Sequence, residues 1–331
     1  MGDRIILITG ATGFIGSAVR QGLLKAGSPV RGAVRASSKI PGTGSLQSTG
    51  FEWVVLHDRS TEREINDALR GVQVVVHLAA RVHVMIDRAT DPLEEFRRVN
   101  VDWTDRLARS AAGQGVRRFV YLSSVKVNGE QTRVPFTEQD SPKPQDPYGV
   151  SKWEAEQALV RVATQTGLET VVVRSPLVYG PGVRGNFLQL LNLLRRGLPL
   201  PLASIRNQRS LVYLGNLVDA LARCIQDPRA AGRTYLVCDG EDLSTPELVR
   251  RLGTTMGTRV CLWPCPMALL YWMGPVAGTR GMIDRLVGSL QVNSSKIQTE
   301  LDWHPPFTVD AGLSETAAWF RAQRTSPVVA S

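Results

Sequence analysis

Tyr148 and Lys152 stand four positions apart in Tyr148-Gly149-Val150-Ser151-Lys152, a spacing that puts both side chains on one face of a helix. A free tyrosine is a poor base near neutral pH, since its ordinary pKa is about 10. An ammonium one helical turn away favours the phenolate and makes proton exchange with a substrate hydroxyl feasible. A second cluster lies near the N-terminus, in Gly10-Ala11-Thr12-Gly13-Phe14-Ile15-Gly16. A glycine turn between a strand and a helix brings backbone amides to a pyrophosphate. Together the two clusters point to hydride transfer with a nicotinamide dinucleotide, coupled to proton transfer at a carbinol carbon. Either alone says less. Tyr-x-x-x-Lys arises by chance in many helices, and a glycine turn is also an ordinary tight connection from strand to helix.

The elements that carry these residues follow from the pattern around them. Arg4-Ile5-Ile6-Leu7-Ile8-Thr9 is a short apolar run rich in β-branched residues, as a buried parallel strand requires. Phe14, Ile15, Ala18, Val19 and Leu23 then recur with helical spacing. The order strand, glycine turn, helix is the context that the motif needs. Strands are expected near 5–9, 30–34, 53–56, 74–78, 119–123 and 170–174, and helices near 14–26, 62–70, 92–114 and 148–167. This alternation predicts an α/β, doubly wound parallel sheet. From 179 onward the pattern is irregular, with Pro/Gly clusters at 180–185 and 197–201. Val212-Tyr213-Leu214 runs into an expected helix at 216–226.

Composition narrows the partners. A chain of 331 residues, 43% of them hydrophobic, suits one large domain with a smaller cap. The net charge of +9 admits nucleic acid, but the Lys and Arg residues are scattered without interleaved aromatics. A basic surface that draws in anionic small molecules fits better. Cys224, Cys238, Cys261 and Cys265 make no disulfide framework in a chain of this length. The histidines His57, His77, His83 and His304 show no metal spacing, so no metal is expected. No Gly-x-Ser-x-Gly elbow is present. The first strand begins almost at Met1, leaving no room for a signal peptide, and a cytoplasmic protein is expected. The apolar stretch 262–278 is broken by Pro264, Pro266, Gly274 and Pro275 and is too short to span a bilayer. A buried helix in the smaller lobe is the favoured reading there, ahead of a peripheral membrane contact.

Further segments recur in a fixed order: His77-Leu78-Ala79-Ala80, Asn100-Val101-Asp102, Ser123-Ser124, and Ser175-Pro176-Leu177-Val178-Tyr179-Gly180-Pro181-Gly182. With the glycine turn and the Tyr/Lys pair, they resemble the extended short-chain dehydrogenase/reductases of the nucleotide-sugar epimerase/dehydratase family. The resemblance covers the first two-thirds of the chain and extends loosely through 209–219 and 294–303. The glycine spacing is wider than that of the dinucleotide fingerprint, and the wider form is usual in the family. The resemblance implies a Rossmann domain over 1–178 with a return segment near 210–240, a substrate-binding lobe over 179–325, and a tail at 326–331.

The same resemblance assigns roles. Gly10, Thr12, Gly13, Phe14, Ile15 and Gly16 would meet the pyrophosphate, and Asp58 the adenine. Leu78, Ala79 and Ala80 would pass beside the ribose, and Asn100, Pro176 and Val178 would complete the cofactor site. Ser124 would hydrogen-bond the reacting oxygen and Tyr148 would exchange its proton. Lys152 would lower the pKa of Tyr148 and orient the ribose. Family members that use NAD usually place an acidic residue at the end of the second strand to hold the ribose 2′-hydroxyl. This chain has Arg35 there, followed by Ser37, Ser38 and Lys39, which suit a 2′-phosphate. NADP(H) is therefore expected over NAD(H), although Arg35 can also stack on adenine.

A UDP-sugar is the implied substrate, with Arg209 on the diphosphate, Asn186 on the diphosphate or the sugar, Leu200 in a short strand against the uracil, and Arg285 as a second diphosphate contact. Dehydration is disfavoured, because Ser124-Val125-Lys126 lacks the acidic residue of the family's dehydratases. A reductase of a UDP-4-keto-6-deoxy-hexosamine in surface-polysaccharide (O-antigen) synthesis is the first expectation. A UDP-glucose or UDP-N-acetylglucosamine 4-epimerase with retained NAD is the alternative. A non-catalytic NADP-binding sensor is remote, since the chain keeps both Tyr148 and Lys152. A homodimer is implied through the helices at 92–114 and 148–167, with Leu107, Ala111, Ala155 and Leu159 proposed at the interface.

Overall fold

The computed structural model describes residues 5–35, 50–82, 91–269 and 286–323. Strands β1 (Ile5–Thr9), β2 (Val30–Val34), β3 (Phe51–Val55), β4 (Val72–His77), β5 (Arg118–Ser124) and β6 (Glu169–Ser175) match the expected runs within a few residues. They are joined by β9 (Arg233–Leu236) in a seven-stranded sheet of order β3-β2-β1-β4-β5-β6-β9. Every pairing in this sheet is parallel. The order reverses between β1 and β4, and a crevice for ligands forms where strands diverge in this way. A smaller sheet, β10-β8-β7, comprises Asp242–Leu243, Arg209–Tyr213 and Leu177–Tyr179.

Both faces of the large sheet are covered, as the β-branched runs require. Ile6, Ile8, Val120, Leu122, Val171 and Val173 pack against α1 (Phe14–Lys25) and α7 (Leu214–Gln226). The alternate residues Leu7, Val75, Phe119, Tyr121 and Val172 pack against α2 (Glu62–Leu69), α4 (Trp103–Gly113) and α5 (Pro147–Thr166). Leu107, Ala111, Ala155 and Leu159 belong to this second layer and are wholly buried within one chain. Their expected place at a dimer interface is therefore corrected: they face the sheet, and the periodicity that singled them out is that of the core-facing stripe.

Two further expectations change. The helix expected over 92–114 is α3 (Pro92–Arg97), then a single π turn at Arg98–Asp102, then α4. An extra residue in a turn of this kind re-aims the side chains at its centre. The stretch after 179, expected to be irregular, contains α6 (Gly185–Arg195), α8 (Thr245–Met256), α9 (Ser295–Leu301) and α10 (Val309–Ala322). Phe187, Leu191 and Leu194 of α6 meet Val249 and Leu252 of α8 and Leu313 and Phe320 of α10 in a separate core cluster.

In the apolar stretch, the residues from 261 to 266 form no helix. Pro264 and Pro266 forbid the ladder there, and Leu262 instead bridges Leu200. Residues 270–278 lie outside the described residues. No helix among the described residues is long and apolar enough to cross a membrane.

Arg118 ties the two halves together. Its side chain is fully buried and donates to the carbonyls of Cys224, Ile225 and Asp227 at the end of α7, at 2.8, 3.1 and 2.6 Å. Its Nε also donates to Glu169 at 2.8 Å. A guanidinium here satisfies carbonyls that the last helical turn leaves without partners.

Candidate functional site

Gly10 closes β1 with φ of 68°, where a side chain would be strained, and a Cβ there would come within 3.0 Å of the Ala79 amide. At Gly16 a Cβ would stand 2.1 Å from the Gly10 carbonyl, so only glycine lets α1 start this close to the strand. Gly13 caps α1 without a side-chain hydrogen bond, and no acidic residue lies in the first turn. The helix thus presents its positive end at the crevice, with Thr12 exposed and Phe14 and Ile15 half-buried beside it. An anionic diphosphate fits this cradle.

Thr9, just before the turn, joins it to β4. Its Oγ1 accepts the amides of Leu78 and Ala79 at 3.1 Å each and is 2.7 Å from His77 Nδ1. His77 Nε2 lies 3.0 Å from Thr104 Oγ1. Burial, reinforced by the nearby Lys152 charge, brings the imidazole pKa down to about 3, so His77 is a neutral hydrogen-bonding strut.

Beyond Ala80 a cavity of about 560 Å³ opens at the ends of β2, β3 and β4. Arg35, His57, Asp58, Arg59, Ala80, Arg81, Arg98 and Val99 line it. Arg35 is exposed there, as its expected role requires. Asp58 forms an ion pair with Arg98. Arg59, Arg81 and Arg98 were not foreseen, because three separate chain segments bring them to one wall. Ser38 lies outside the described residues. Asn100, expected to contact the cofactor, is 1% exposed and has both side-chain ends committed. It accepts from the Arg81 amide at 2.7 Å and donates to the Arg81 carbonyl and to Ser151 Oγ at 3.0 and 2.9 Å. From the centre of the π turn it fixes the cavity wall to α5 instead. Pro176 is buried and Val178 half-buried where the chain crosses from β6 into β7.

Ser124 and Tyr148 are brought together by the end of β5 and the start of α5. Asp146 caps α5 by accepting the Gly149 amide at 2.7 Å, and Pro147 pre-sets the first turn. Ser124 and Tyr148 stand side by side, and the Tyr148 ring lies edge-on to Phe96 at 6.3 Å. Lys152 is 2% exposed; its Nζ donates to the Leu122 carbonyl at 2.8 Å and stands 4.4 Å from the centre of the Tyr121 ring.

The expected electrostatics need correction. Burial, with the Asp146 charge added, raises the Tyr148 pKa above its ordinary value, and the neighbouring Ser124 hydroxyl only partly opposes this. Lys152, 5.9 Å from the centre of the Tyr148 ring, is itself brought down to about 7 by burial, against the Glu156 carboxylate, which favours its charge. In this arrangement the ammonium bonds the backbone of β5, and burial favours the protonated form of the Tyr148 phenol.

The residues expected to hold substrate are spread more widely. Asn186 is exposed in the first turn of α6. Arg209 is half-buried, with Nη1 donating to the Gly288 carbonyl at 2.9 Å. Leu200 is corrected: its amide donates to the Cys261 carbonyl at 2.9 Å and its carbonyl accepts from the Trp263 amide at 3.1 Å, so its edge is already paired. Arg285 lies outside the described residues. Among the described residues no group of His, Cys, Asp and Glu is arranged to hold a metal ion.

Residues 6–238 match the NAD dependent epimerase/dehydratase family. The chain is 42% identical to a UDP-glucose 4-epimerase of Vibrio cholerae, over 95% of each chain. It is 30% identical to a dTDP-glucose 4,6-dehydratase of Streptomyces griseus, over 97% of this chain and 95% of that one. Among solved structures, MoeE5 in complex with UDP-glucuronic acid and NAD is 25% identical, with a TM-score of 0.75 over 96% of this chain and 99% of that one. A glycine turn on a parallel sheet, a Ser/Tyr/Lys group at the end of β5, and these matches lead to one conclusion: the chain belongs to the NAD-dependent epimerase/dehydratase family of short-chain dehydrogenase/reductase enzymes.

Proposed function

We propose that the protein is a nicotinamide-dependent oxidoreductase acting at C4 of a UDP-sugar, and that it works as a UDP-hexose 4-epimerase. The observation that carries the epimerase form is the 42% identity to the Vibrio cholerae UDP-glucose 4-epimerase across nearly all of both chains. This outweighs the keto-sugar reductase that the sequence favours. The cradle at Gly10, Gly13 and Gly16 and the cavity beyond Ala80 suit the cofactor's diphosphate and adenosine. The nicotinamide, when bound, accepts and returns a hydride. The protein's own part is acid/base chemistry and positioning. In the loaded site Tyr148, having first released its own proton to solvent, takes the proton of the 4-hydroxyl as the keto sugar forms and gives it back when the hydroxyl is restored. Ser124 donates to the reacting oxygen where negative charge develops. Lys152 holds positive charge beneath both, and Arg209 and Asn186 receive the diphosphate.

Purified protein should interconvert UDP-glucose and UDP-galactose without added cofactor and without net change in nicotinamide absorbance. Stoichiometric NADPH oxidation on a UDP-4-keto-6-deoxy-hexosamine, with no interconversion of the hexoses, would overturn this reading. It would establish the reductase instead.

That second reading has a specific support: Arg35, Arg59, Arg81 and Arg98 on one cavity, which suit a 2′-phosphate. Arg35→Asp should weaken NADP(H) at least tenfold more than NAD(H), because a repelling anion replaces a cation that pairs with phosphate. Dissociation constants for both cofactors, in parent and variant, measure this. An equal loss for both would mean that Arg35 only stacks on the adenine.

A further inference from the structure

Behind Ser124 and Lys152 lies a buried ion pair that the proposed chemistry does not use. Glu156, one turn beyond Lys152 on α5, is 3% exposed, and Arg174 on β6 is 4% exposed. Arg174 Nη2 donates to Glu156 Oε2 at 2.6 Å and its Nε to Oε1 at 3.1 Å. Ser123, the neighbour of Ser124, donates to Glu156 Oε1 at 2.5 Å. Arg174 Nη1 donates to Asn128 Oδ1 at 3.0 Å, just beyond the turn that follows Ser124. Buried pairs of this kind are weak evidence for stability, since well-packed apolar residues often replace them without loss. Their best-attested use is to fix a register, and this one joins α5, β5, β6 and the turn after β5 at one point.

We propose that Glu156, clamped by Arg174, is a positioning residue for the site: it locks Ser123, and through it Ser124, into register with α5, and supplies the anion that keeps the buried Lys152 side chain charged. The inference rests on the reading that Tyr148 and Lys152 are the reacting pair. The groups facing Lys152 are Tyr148 and Glu156 on its own helix, Tyr121 on β5, and His77 on β4. Arg174 on β6 reaches it through Glu156, and the Lys126–Asp146 ion pair closes the entrance to α5. His77 is neutral and the two tyrosines are uncharged at neutral pH, which leaves Glu156 as the anion that offsets the burial of the ammonium.

Glu156→Gln keeps the shape and removes the charge. Loss of the anion lets Lys152 give up its proton at lower pH, so the alkaline fall in kcat should move about one unit toward acid. At pH 8 kcat should fall about tenfold, at pH 6 it should stay within about threefold of the parent, and KM should change less than about twofold. Glu156→Asp keeps the anion and should keep the parental alkaline limb. If Glu156→Gln does not fold, Glu156→Gln with Arg174→Met removes both charges together and is measured in its place, with an acid shift of about half a unit expected, because loss of the Arg174 cation offsets part of the loss of the anion. A limb within about 0.2 unit of the parent in the folded variant overturns the proposal, as does an equal shift in Glu156→Asp. Tyr148→Phe is run alongside. Full activity there would refute the reacting pair itself, whereas an inactive Tyr148→Phe with an unmoved limb refutes only the role of Glu156.

Discussion

Tyr148→Phe should lower turnover by about 10²- to 10⁴-fold, the usual weight of a general acid/base, while cofactor binding stays within about threefold. The ring can keep its edge-on contact with Phe96, so the start of α5 has no reason to move. What disappears is the one exchangeable proton of the phenol. Burial holds this hydroxyl protonated, so its activation depends on what the loaded site adds: substrate oxygen on one side and the Lys152 charge on the other. Turnover and cofactor affinity in parent and variant measure the effect. Turnover within threefold of the parent would assign the proton to another group, with Ser124 the first to test.

Arg118→Met should cost about 3 kcal/mol of folding stability, the lower end of what breaking a buried charged contact costs, because Glu169 remains one-third exposed and can turn to solvent. Methionine fills much of the volume but donates nothing to the carbonyls of Cys224, Ile225 and Asp227, which stay buried at the end of α7. Urea unfolding followed by far-ultraviolet circular dichroism measures the loss. Activity of the folded fraction should be unchanged, since Arg118 opens β5 and Ser124 closes it. A loss under about 1 kcal/mol would mean that water reaches those carbonyls once the guanidinium is gone.

The first half of the fold was legible because its strands are buried on both faces and read as unbroken β-branched runs. The π turn at Arg98–Asp102 was not, since one extra residue leaves a helical pattern almost unchanged over a window of 20 or so. Beyond Tyr179 the glycines and prolines masked real helices. Phe187, Leu191 and Leu194 already carried the i, i+4, i+7 spacing of α6, and Ser244 with Glu247 carried the N-terminal signal of α8. In the site, Tyr148 and Lys152 were legible because local spacing alone brings them together. The arginine wall was not, because Arg59, Arg81 and Arg98 meet only through the packing of β3, β4 and α3. Leu200 was misjudged for the same reason: what its backbone pairs with is decided by the chain at 261–263.

The place of β9 has a consequence for synthesis. β6 is complete at Ser175, but its outer neighbour begins only at Arg233, after the chain has built β7, α6, β8 and α7. Roughly 60 residues separate the two strands, and at about 5–20 residues per second a ribosome needs roughly 3–12 s to supply them. Through that interval the Val171-Val172-Val173 edge stands open, an apolar template for any extended chain nearby. Arg174 sits in the same strand, so Glu156 can clamp β6 to α5 as soon as both have emerged, well before the edge is covered. The polar pair beneath the site therefore links β6 to α5 through chain that is synthesised before the partner of that open edge.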